Sequence, residues 1–260
     1  IADRIVAAVQ QRGGLLTARD LRAHRSEWVE PIGIDYKETV RIWEIPPNGQ
    51  GIAALMALNF YQEKLGMATN HDLSDFDDFD HEQFAADLHL KAECMRSSFR
   101  FSRKFISDLS HPDGRDVDLS RYLSSEFARK VAAEDIAADA VNGESLRKGL
   151  PLSSSDTVSF GAVDRDGNGC SFISSLFEHF GTGIVPKDCG FALQNRGYNL
   201  KKTERGHPNA VGPGKRPYHT IIPGMATTTK GDLYCTFSVM GGFMQPQGHF
   251  QVISNLIDRG

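Results

Sequence analysis

The chain of 260 residues carries 33 acidic and 29 basic side chains, for a formal net charge of -4, and 40% of its residues are hydrophobic. This is the composition of a globular protein with one large domain or two small ones. The acidic balance argues against a nucleic-acid surface, and no stretch approaches the ~18 uninterrupted apolar residues that a membrane helix needs. We therefore expect a small-molecule partner, with no nucleic acid and no membrane.

The N-terminal stretch IADRIVAAVQQRGG predicts an amphipathic helix and lacks the layout of a signal peptide. The sequence has no initial methionine, which indicates a fragment or a mature subunit. Localisation, periplasmic or cytoplasmic, is therefore left open. The four cysteines form no C-x-x-C pair, so we expect buried thiols rather than a zinc ribbon or a disulfide scaffold.

The first 150 residues have mainly helical patterns. Thr17 and Asp20 form a capping pair, and Gly66 is predicted to end the helix that begins near residue 51. Residues 31–47 interrupt the helices with a short β segment. A long amphipathic helix follows from His81, and its spacing places Phe84, Leu88 and Met95 on the inward face.

After residue 156 the pattern changes to short strands and glycine turns. Residues 157–163 alternate between two faces and form a predicted hairpin with residues 170–176, with Asp166 and Gly167 in the turn. Residues 233–240 predict a further strand, and residues 249–259 a closing helix. This order indicates an α+β fold with layered helices and strands rather than repeated βαβ units.

The stretch DRDGNG resembles the first half of a calcium loop, because Asp164, Asp166 and Asn168 occupy alternate positions. The position that needs a bidentate glutamate is Ser175, however, and the flanking segments are strands rather than helices. We therefore expect no metal site here.

Thr157 follows the serine-rich stretch SSSD and begins the predicted strand. If the bond between Asp156 and Thr157 is cleaved, the freed α-amine lies beside the threonine hydroxyl and can act as its base. That amine titrates near pH ~8, so part of it is neutral at physiological pH. The alternative is a plain junction between a loop and a strand, and the local sequence alone favours this alternative.

Several stretches, in the same order and at compatible distances, resemble the gamma-glutamyltransferase family. They are GGLLTARDLRAHRSEW in the first half and SDTVSFGAVDRDGNG, GPGKRPYHTIIPGM and VMGGFMQPQGHF in the second. The resemblance covers nearly the whole chain. It implies an N-terminal nucleophile hydrolase with a four-layer αββα sandwich, made as a precursor that cuts itself between Asp156 and Thr157.

The same resemblance implies that residues 1–156 are the C-terminal part of the large subunit and residues 157–260 the N-terminal part of the small subunit. The two parts together would form one sandwich domain, each the partner of the other after cleavage. We expect the chain to be part of a longer protein, because the family's large subunit begins earlier and supplies an arginine for the substrate carboxylate.

The resemblance also assigns roles by position. Thr157 is the nucleophile, and Ser175 stands where the family has a hydroxyl hydrogen-bonded to it. Gly241 and Gly242 match the glycine pair whose backbone N–H groups form the oxyanion hole, which is plausible because glycine allows close approach of the backbone. Neither a metal nor an organic cofactor is called for.

The departures from the family pattern concern substrate binding. Phe177 replaces an asparagine, Arg196 and Asn199 occupy a segment that usually ends in an acidic residue, and His219 with Thr220 replaces a serine pair. Arg196 offers a planar fork for a carboxylate and His219 a switchable hydrogen-bond donor. The alternatives are a structural salt bridge for Arg196 and a core hydrogen bond for His219.

These features resemble the branch of the family that includes oxamate amidohydrolase and cephalosporin-acylase-like enzymes. We expect a self-processing amide hydrolase or acyltransferase that cleaves a gamma-glutamyl or similar small carboxylated amide and passes the acyl group to water or an amine. The alternatives are an oxamate-type or acylase-type amidohydrolase without gamma-glutamyl activity, and an unprocessed, inactive binding scaffold.

Overall fold

A computed structural model describes residues 1–67, 81–114, 117–134, 136, 155–202 and 206–259, with only the backbone of residues 155 and 156. Its α-helices are α1 (Ala2–Gln10), α2 (Ala18–Ala23), α3 (Gly51–Met67), α4 (His81–Ser102), α5 (Leu119–Leu123), α6 (Ser125–Glu134) and α7 (Gln245–Arg259). Its strands are β1 (Ile32–Tyr36), β2 (Val40–Glu44), β3 (Ser155–Val163), β4 (Gly169–Glu178), β5 (Gly224–Thr228) and β6 (Leu233–Phe237). The predicted α+β class is confirmed.

The larger of two sheets has the strand order β1-β2-β5-β6, and all of its neighbours are antiparallel. Its central pair joins β2, from the first half of the chain, to β5, from the second, with Val40 opposite Thr228 and Trp43 opposite Met225. The other sheet is the hairpin of β3 and β4. Strands on both sides of Thr157 therefore share one sheet.

Helix α3 forms the centre of the core. Every residue from Gly51 to Tyr61 is buried, and the helix packs against α4, α6, α7 and β1. A helix that is apolar on all sides is stable only when it is covered on all sides. The N-terminal end of α3, at Gly51, directly follows the segment that reaches the candidate site.

Helix α4 buries a different face from the predicted one. Met95 is buried as expected, but Phe84 and Leu88 are 40% and 49% exposed, so their predicted inward orientation is wrong. The buried face instead contains charged and hydroxyl side chains, including Asp87 and Lys91.

Ion pairs explain how a charged stripe can face the core. The carboxylate of Asp87 accepts a hydrogen bond from the Tyr61 hydroxyl of α3 and pairs with Lys91 at 3.1 Å and with Arg259 of α7 at 2.6 Å. Buried charges are tolerated when they are paired and hydrogen-bonded. This network joins α3, α4 and α7.

The predicted element ends are partly confirmed. Thr17 and Asp20 form a reciprocal capping box, whereas α3 continues past Gly66 to Met67. The hairpin turn contains Gly167 at φ +85°, as a tight turn requires. The predicted strand of residues 233–240 ends earlier, at Phe237, and the chain then runs into the Gly241–Gly242 turn.

The expectation of buried thiols holds for Cys94 but is wrong for Cys170, which is exposed; Cys189 and Cys235 are partly buried. Among the described residues, none of the helices is both long enough and apolar enough to cross a membrane. The same part of the chain contains no cluster of three or more histidine, cysteine or acidic side chains suited to a metal ion.

Candidate active site

Thr157 lies on β3 directly opposite Ser175 on β4, and its side chain is buried at 3% exposure. The strand begins at Ser155 rather than at Thr157 as predicted. The pairing register shifts between Asp156, opposite Phe177, and Thr157, opposite Ser175, so that Leu176 is an extra residue. The predicted cleavage site therefore coincides with a β-bulge, a feature that often occurs beside active sites.

The end of β4 is bent next to this bulge. The hydroxyl of Ser175 accepts a hydrogen bond from the Phe177 N–H at 2.8 Å, and Phe177 has φ +81°. Positive φ is unfavourable for a bulky residue and indicates local strain held by the surroundings. The buried Phe177 ring is thereby fixed two residues beyond the predicted hydroxyl partner.

Arg196 stacks on the Phe177 ring, with its guanidinium carbon 4.6 Å from the ring centroid. Its Nη1 donates to the hydroxyl of Thr220, while its Nη2 has no hydrogen-bond partner within the described part of the chain. Arg196 is only 3% exposed, and burial lowers its pKa to about 10, so the side chain is charged at neutral pH. Among the described residues, no carboxylate forms an ion pair with Arg196, so the alternative of a structural salt bridge has no partner there.

The loop that carries Arg196 is fastened to the end of β4. Asn195 donates its N–H to the Leu176 carbonyl at 3.1 Å, and its side-chain oxygen accepts from the Glu178 N–H at 3.2 Å. The side-chain oxygen of Gln194 accepts from the Arg196 N–H. These bonds place the guanidinium beside the strand that pairs with Thr157.

His219 lies next to this group and is held by its backbone. Its N–H donates to the Asn48 carbonyl at 2.8 Å, and its imidazole Nδ1 accepts from the Ile221 N–H at 3.3 Å. Burial, and secondly the positive charge of Arg196, lower the pKa of His219 to about 3. The imidazole is therefore neutral, and because Nδ1 is an acceptor, the proton lies on Nε2.

Asn199 is not brought against Arg196 by any described contact. Its side-chain amide donates to the Tyr218 carbonyl at 3.1 Å, and its own carbonyl accepts from Asn209 at 2.7 Å. The residue also borders a cavity of about 240 Å³. The wall of this cavity includes Arg103, Tyr198, Asn199, Lys201, Tyr218 and Phe243.

The Gly241–Gly242 turn precedes α7 and has φ +131° and +56° at its two residues. A Cβ on Gly241 would lie 2.4 Å from the Met244 sulfur, so only glycine fits without a shift. The short 3₁₀ helix Gly242–Met244 contacts β3, the strand of Thr157. Within the described residues, neither glycine N–H is seen to donate to an acceptor.

Sequence reasoning missed Gln50, which lies just before α3 and is completely buried. Its side chain contacts both the Gly242 carbonyl and the Thr220 carbonyl. The available signal was a lone amide between the glycines of PPNGQG, immediately before a long apolar helix.

Comparison with known structures defines the fold class. A crystal structure of cephalosporin acylase from Bacillus halodurans matches 99% of the chain with a TM-score of 0.77 and 38% identity, and the match covers 43% of that chain. The sequence model described as Gamma-glutamyltranspeptidase matches residues 1–260, and the chain belongs to this family.

Two curated relatives match the full length of the chain. A glutathione hydrolase-like YwrD proenzyme from Bacillus subtilis is 33% identical over 260 residues, and an oxamate amidohydrolase proenzyme from Klebsiella pneumoniae is 30% identical over 262 residues. The chain spans 45% of the length of each relative. The predicted resemblance to the family is confirmed.

Proposed function

We propose that this protein is a self-processing amide hydrolase or acyltransferase whose nucleophile is the Thr157 hydroxyl. The observation that carries the proposal is the position of Thr157: it is opposite Ser175, at a bulge, on a strand that contacts the 3₁₀ helix beginning at Gly242. Family membership supports the same reaction class.

Self-processing needs only groups on this chain. The Thr157 hydroxyl attacks the Asp156 carbonyl carbon, the peptide C–N bond breaks, and the nitrogen takes up a proton to become the free α-amine of Thr157. Water then hydrolyses the ester that remains between Asp156 and the threonine oxygen. Residues 1–156 and 157–260 then become separate chains that contribute to one four-layer αββα sandwich.

Turnover of an external amide uses the same hydroxyl. The α-amine of Thr157 accepts its proton as the oxygen attacks the substrate carbonyl, and the N–H groups of Gly241 and Gly242 stabilise the oxyanion. The leaving amine takes the proton, and an acyl-enzyme ester remains. Water or an acceptor amine then attacks this ester and releases the acyl group. No metal or organic cofactor enters the sequence of steps.

The substrate class follows from Arg196. A buried guanidinium with an unpartnered Nη2 matches a planar carboxylate, and its stacking on Phe177 fixes its orientation. Thr220 holds the other nitrogen, and the neutral His219 can donate from Nε2. We propose a small amide with a carboxylate, such as a gamma-glutamyl compound or an oxamate-like acid amide, bound by these residues.

A second candidate is an oxamate-type or acylase-type activity without gamma-glutamyl transfer. A gamma-glutamyl donor carries an ammonium group as well as a carboxylate, and an ammonium group requires an acidic partner. Among the described residues no carboxylate pairs with Arg196, and the nearby Glu178 carboxylate already accepts from the Asn195 side chain. The oxamate amidohydrolase named among the relatives supports this candidate.

Replacing the nucleophile tests the proposal. Thr157→Ala should leave the full-length precursor uncut and lower amide hydrolysis by about 10³-fold or more, because the reacting oxygen is gone. Thr157→Ser, which keeps a hydroxyl, is the matched control and should still be cleaved. Denaturing electrophoresis and N-terminal sequencing, with TVSFGAVD as the expected start, measure the outcome. An alanine variant processed as fast as the parent would contradict the proposal.

The two substrate candidates separate in parallel assays of the processed protein. Release of the anilide from a gamma-glutamyl anilide indicates gamma-glutamyl activity, and release of ammonia from oxamate alone indicates the second candidate. A precursor that stays whole and is inactive on both would instead indicate a binding scaffold.

A further inference from the structure

The side-chain amide of Gln50 bonds to two separate segments of the second half of the chain, residues 218–220 and the Gly241–Gly242 turn. Its Nε2 donates to the Thr220 carbonyl at 2.8 Å and to the Gly242 carbonyl at 2.7 Å, and its Oε1 accepts from the Tyr218 hydroxyl at 2.8 Å. Both amide protons are therefore used. The orientation of the amide is fixed by chemistry, because the two carbonyl oxygens can only accept.

Gln50 is itself held firmly. Its N–H donates to the His219 carbonyl at 3.1 Å, and its carbonyl accepts from the Ala53 N–H at 2.9 Å at the start of α3. The helix that follows is buried throughout its first turns. The amide is thus a fixed reference point between the core and the candidate site.

The Gly241–Gly242 turn needs such a reference, since two consecutive glycines have wide conformational freedom. The Gly241 carbonyl accepts from the Met244 N–H at 3.1 Å, which sets the peptide plane that contains the Gly242 N–H. The Gly242 carbonyl accepts from the Gln245 N–H and from Gln50. Of these bonds, only the one from Gln50 ties the turn to a different part of the chain.

We propose that Gln50 is a positioning residue for the oxyanion hole. It acts through the Gly242 carbonyl and holds the Gly242–Phe243 peptide, and with it the position of the turn that carries the two glycine N–H groups, without touching the substrate. This inference rests on the proposed function of the glycine pair. An oxyanion hole stabilises the transition state only when its donors are correctly aimed, so loss of Gln50 should lower kcat and leave KM nearly unchanged.

Gln50→Met in the full-length processed protein tests the inference, because methionine has a similar length and no amide donor. We expect kcat for the gamma-glutamyl anilide or oxamate to fall by about 10- to 100-fold, less than the ~10²–10³ known for loss of a donor itself, with KM changed by less than about 3-fold. The matched control is Gln62→Met, at a glutamine within the adjoining helix α3, whose amide bonds to Asp35 and Asn59, and its kcat should match the parent.

A second measurement is independent of turnover. Deuterium uptake by a peptide covering residues 238–244 should increase in Gln50→Met and stay at the parental level in Gln62→Met. If Gln50→Met does not fold, Tyr218→Phe removes only the hydroxyl that bonds to Oε1 of Gln50 and should lower kcat by about 3- to 10-fold.

A Gln50→Met protein with parental kcat and parental exchange in residues 238–244 would overturn the inference, as would an increase in KM alone. If the unsubstituted protein hydrolyses neither amide, the proposed function fails. The exchange comparison then still decides whether Gln50 holds the turn.

Discussion

Arg196 illustrates how one residue can define a site. Its guanidinium is buried on the Phe177 ring, and among the described residues it has only the Thr220 hydroxyl as a hydrogen-bond partner. Burying an unpaired charge costs several kcal/mol, of the order known for ions in protein interiors. In the proposed function, an incoming substrate carboxylate would offset this cost.

Arg196→Met should therefore raise KM for a carboxylated amide by about 100-fold, with a smaller effect on kcat, because the charged hydrogen bonds to the substrate are lost. The same substitution should keep or raise Tm, since it removes a buried unpaired charge. Steady-state kinetics and thermal unfolding measure the two effects.

Arg41→Met is a matched control, since Arg41 also lies 4.6 Å from an aromatic ring, that of Trp43, but far more exposed. It should change neither KM nor kcat. If Arg196→Met lowered Tm strongly and left KM unchanged, Arg196 would be part of a structural ion pair and not a substrate-binding residue.

His219 should make stability depend on pH. Burial and the charge of Arg196 lower its pKa in the folded protein to about 3, whereas an unfolded histidine titrates near ~6.5. Below pH ~6.5 the unfolded chain takes up a proton on this histidine that the folded chain does not bind. Proton uptake therefore favours the unfolded chain, and the free energy of unfolding decreases as the pH falls from ~6.5 towards 3.

Denaturant unfolding at several pH values in that range gives the free energy of unfolding as a function of pH. The slope of this free energy against pH should be smaller in His219→Gln than in the parent. The difference has an upper bound of about 1.4 kcal/mol per pH unit, the value for one proton. His24→Gln, at an exposed position, serves as the control and should keep the parental slope. Equal slopes in all three proteins would show that burial does not shift the titration of His219.

At the scale of elements, α4 depends on a charged network rather than on an apolar stripe. Asp87→Ala should leave Lys91 and Arg259 without their shared carboxylate and lower the free energy of unfolding by about 3–5 kcal/mol. The exposed pair of Asp35 with Arg41 gives the comparison, since Asp35→Ala should cost about 1 kcal/mol or less. Denaturant unfolding of both variants checks the difference; similar small losses would contradict it.

This helix also shows how far local pattern can be trusted. Periodicity identified a helix from His81 correctly, because period is a property of the helix itself. It placed Phe84 and Leu88 inward wrongly, because the buried face is chosen by partners on α3 and α7. The capping box at Thr17 and the turn at Gly167 were predictable, since both depend on neighbouring residues alone.

The candidate site likewise contains residues that the sequence indicated and one residue that it did not. Family resemblance predicted roles for Thr157, Ser175 and the glycine pair. The structure places Thr157 opposite Ser175, and strand β3 contacts the 3₁₀ helix that begins at Gly242. The resemblance gave no indication of Gln50, whose two carbonyl partners lie 170 and 192 residues further along the chain. Distances of this kind are set by tertiary packing and leave no local mark in the sequence.

At the scale of the whole molecule, the two halves of the chain are joined through the larger sheet. Strand β2 precedes Thr157 and pairs with β5, which follows it, and further bonds run between Asn48 and His219 and between Gln50 and Gly242. A division at residue 156, as predicted from the sequence, would lie outside the larger sheet and would leave its pairing of β2 with β5 intact.

The β2–β5 ladder has a consequence for how the two pieces would come to exist. Cleavage before Thr157 would break none of the hydrogen bonds between β2 and β5. The two products would therefore form already assembled and in equal numbers. Neither product would need a separate association step to meet its partner. If the proposed cleavage occurs, a single gene would set the stoichiometry that two separately translated polypeptides would reach only by diffusion and balanced expression.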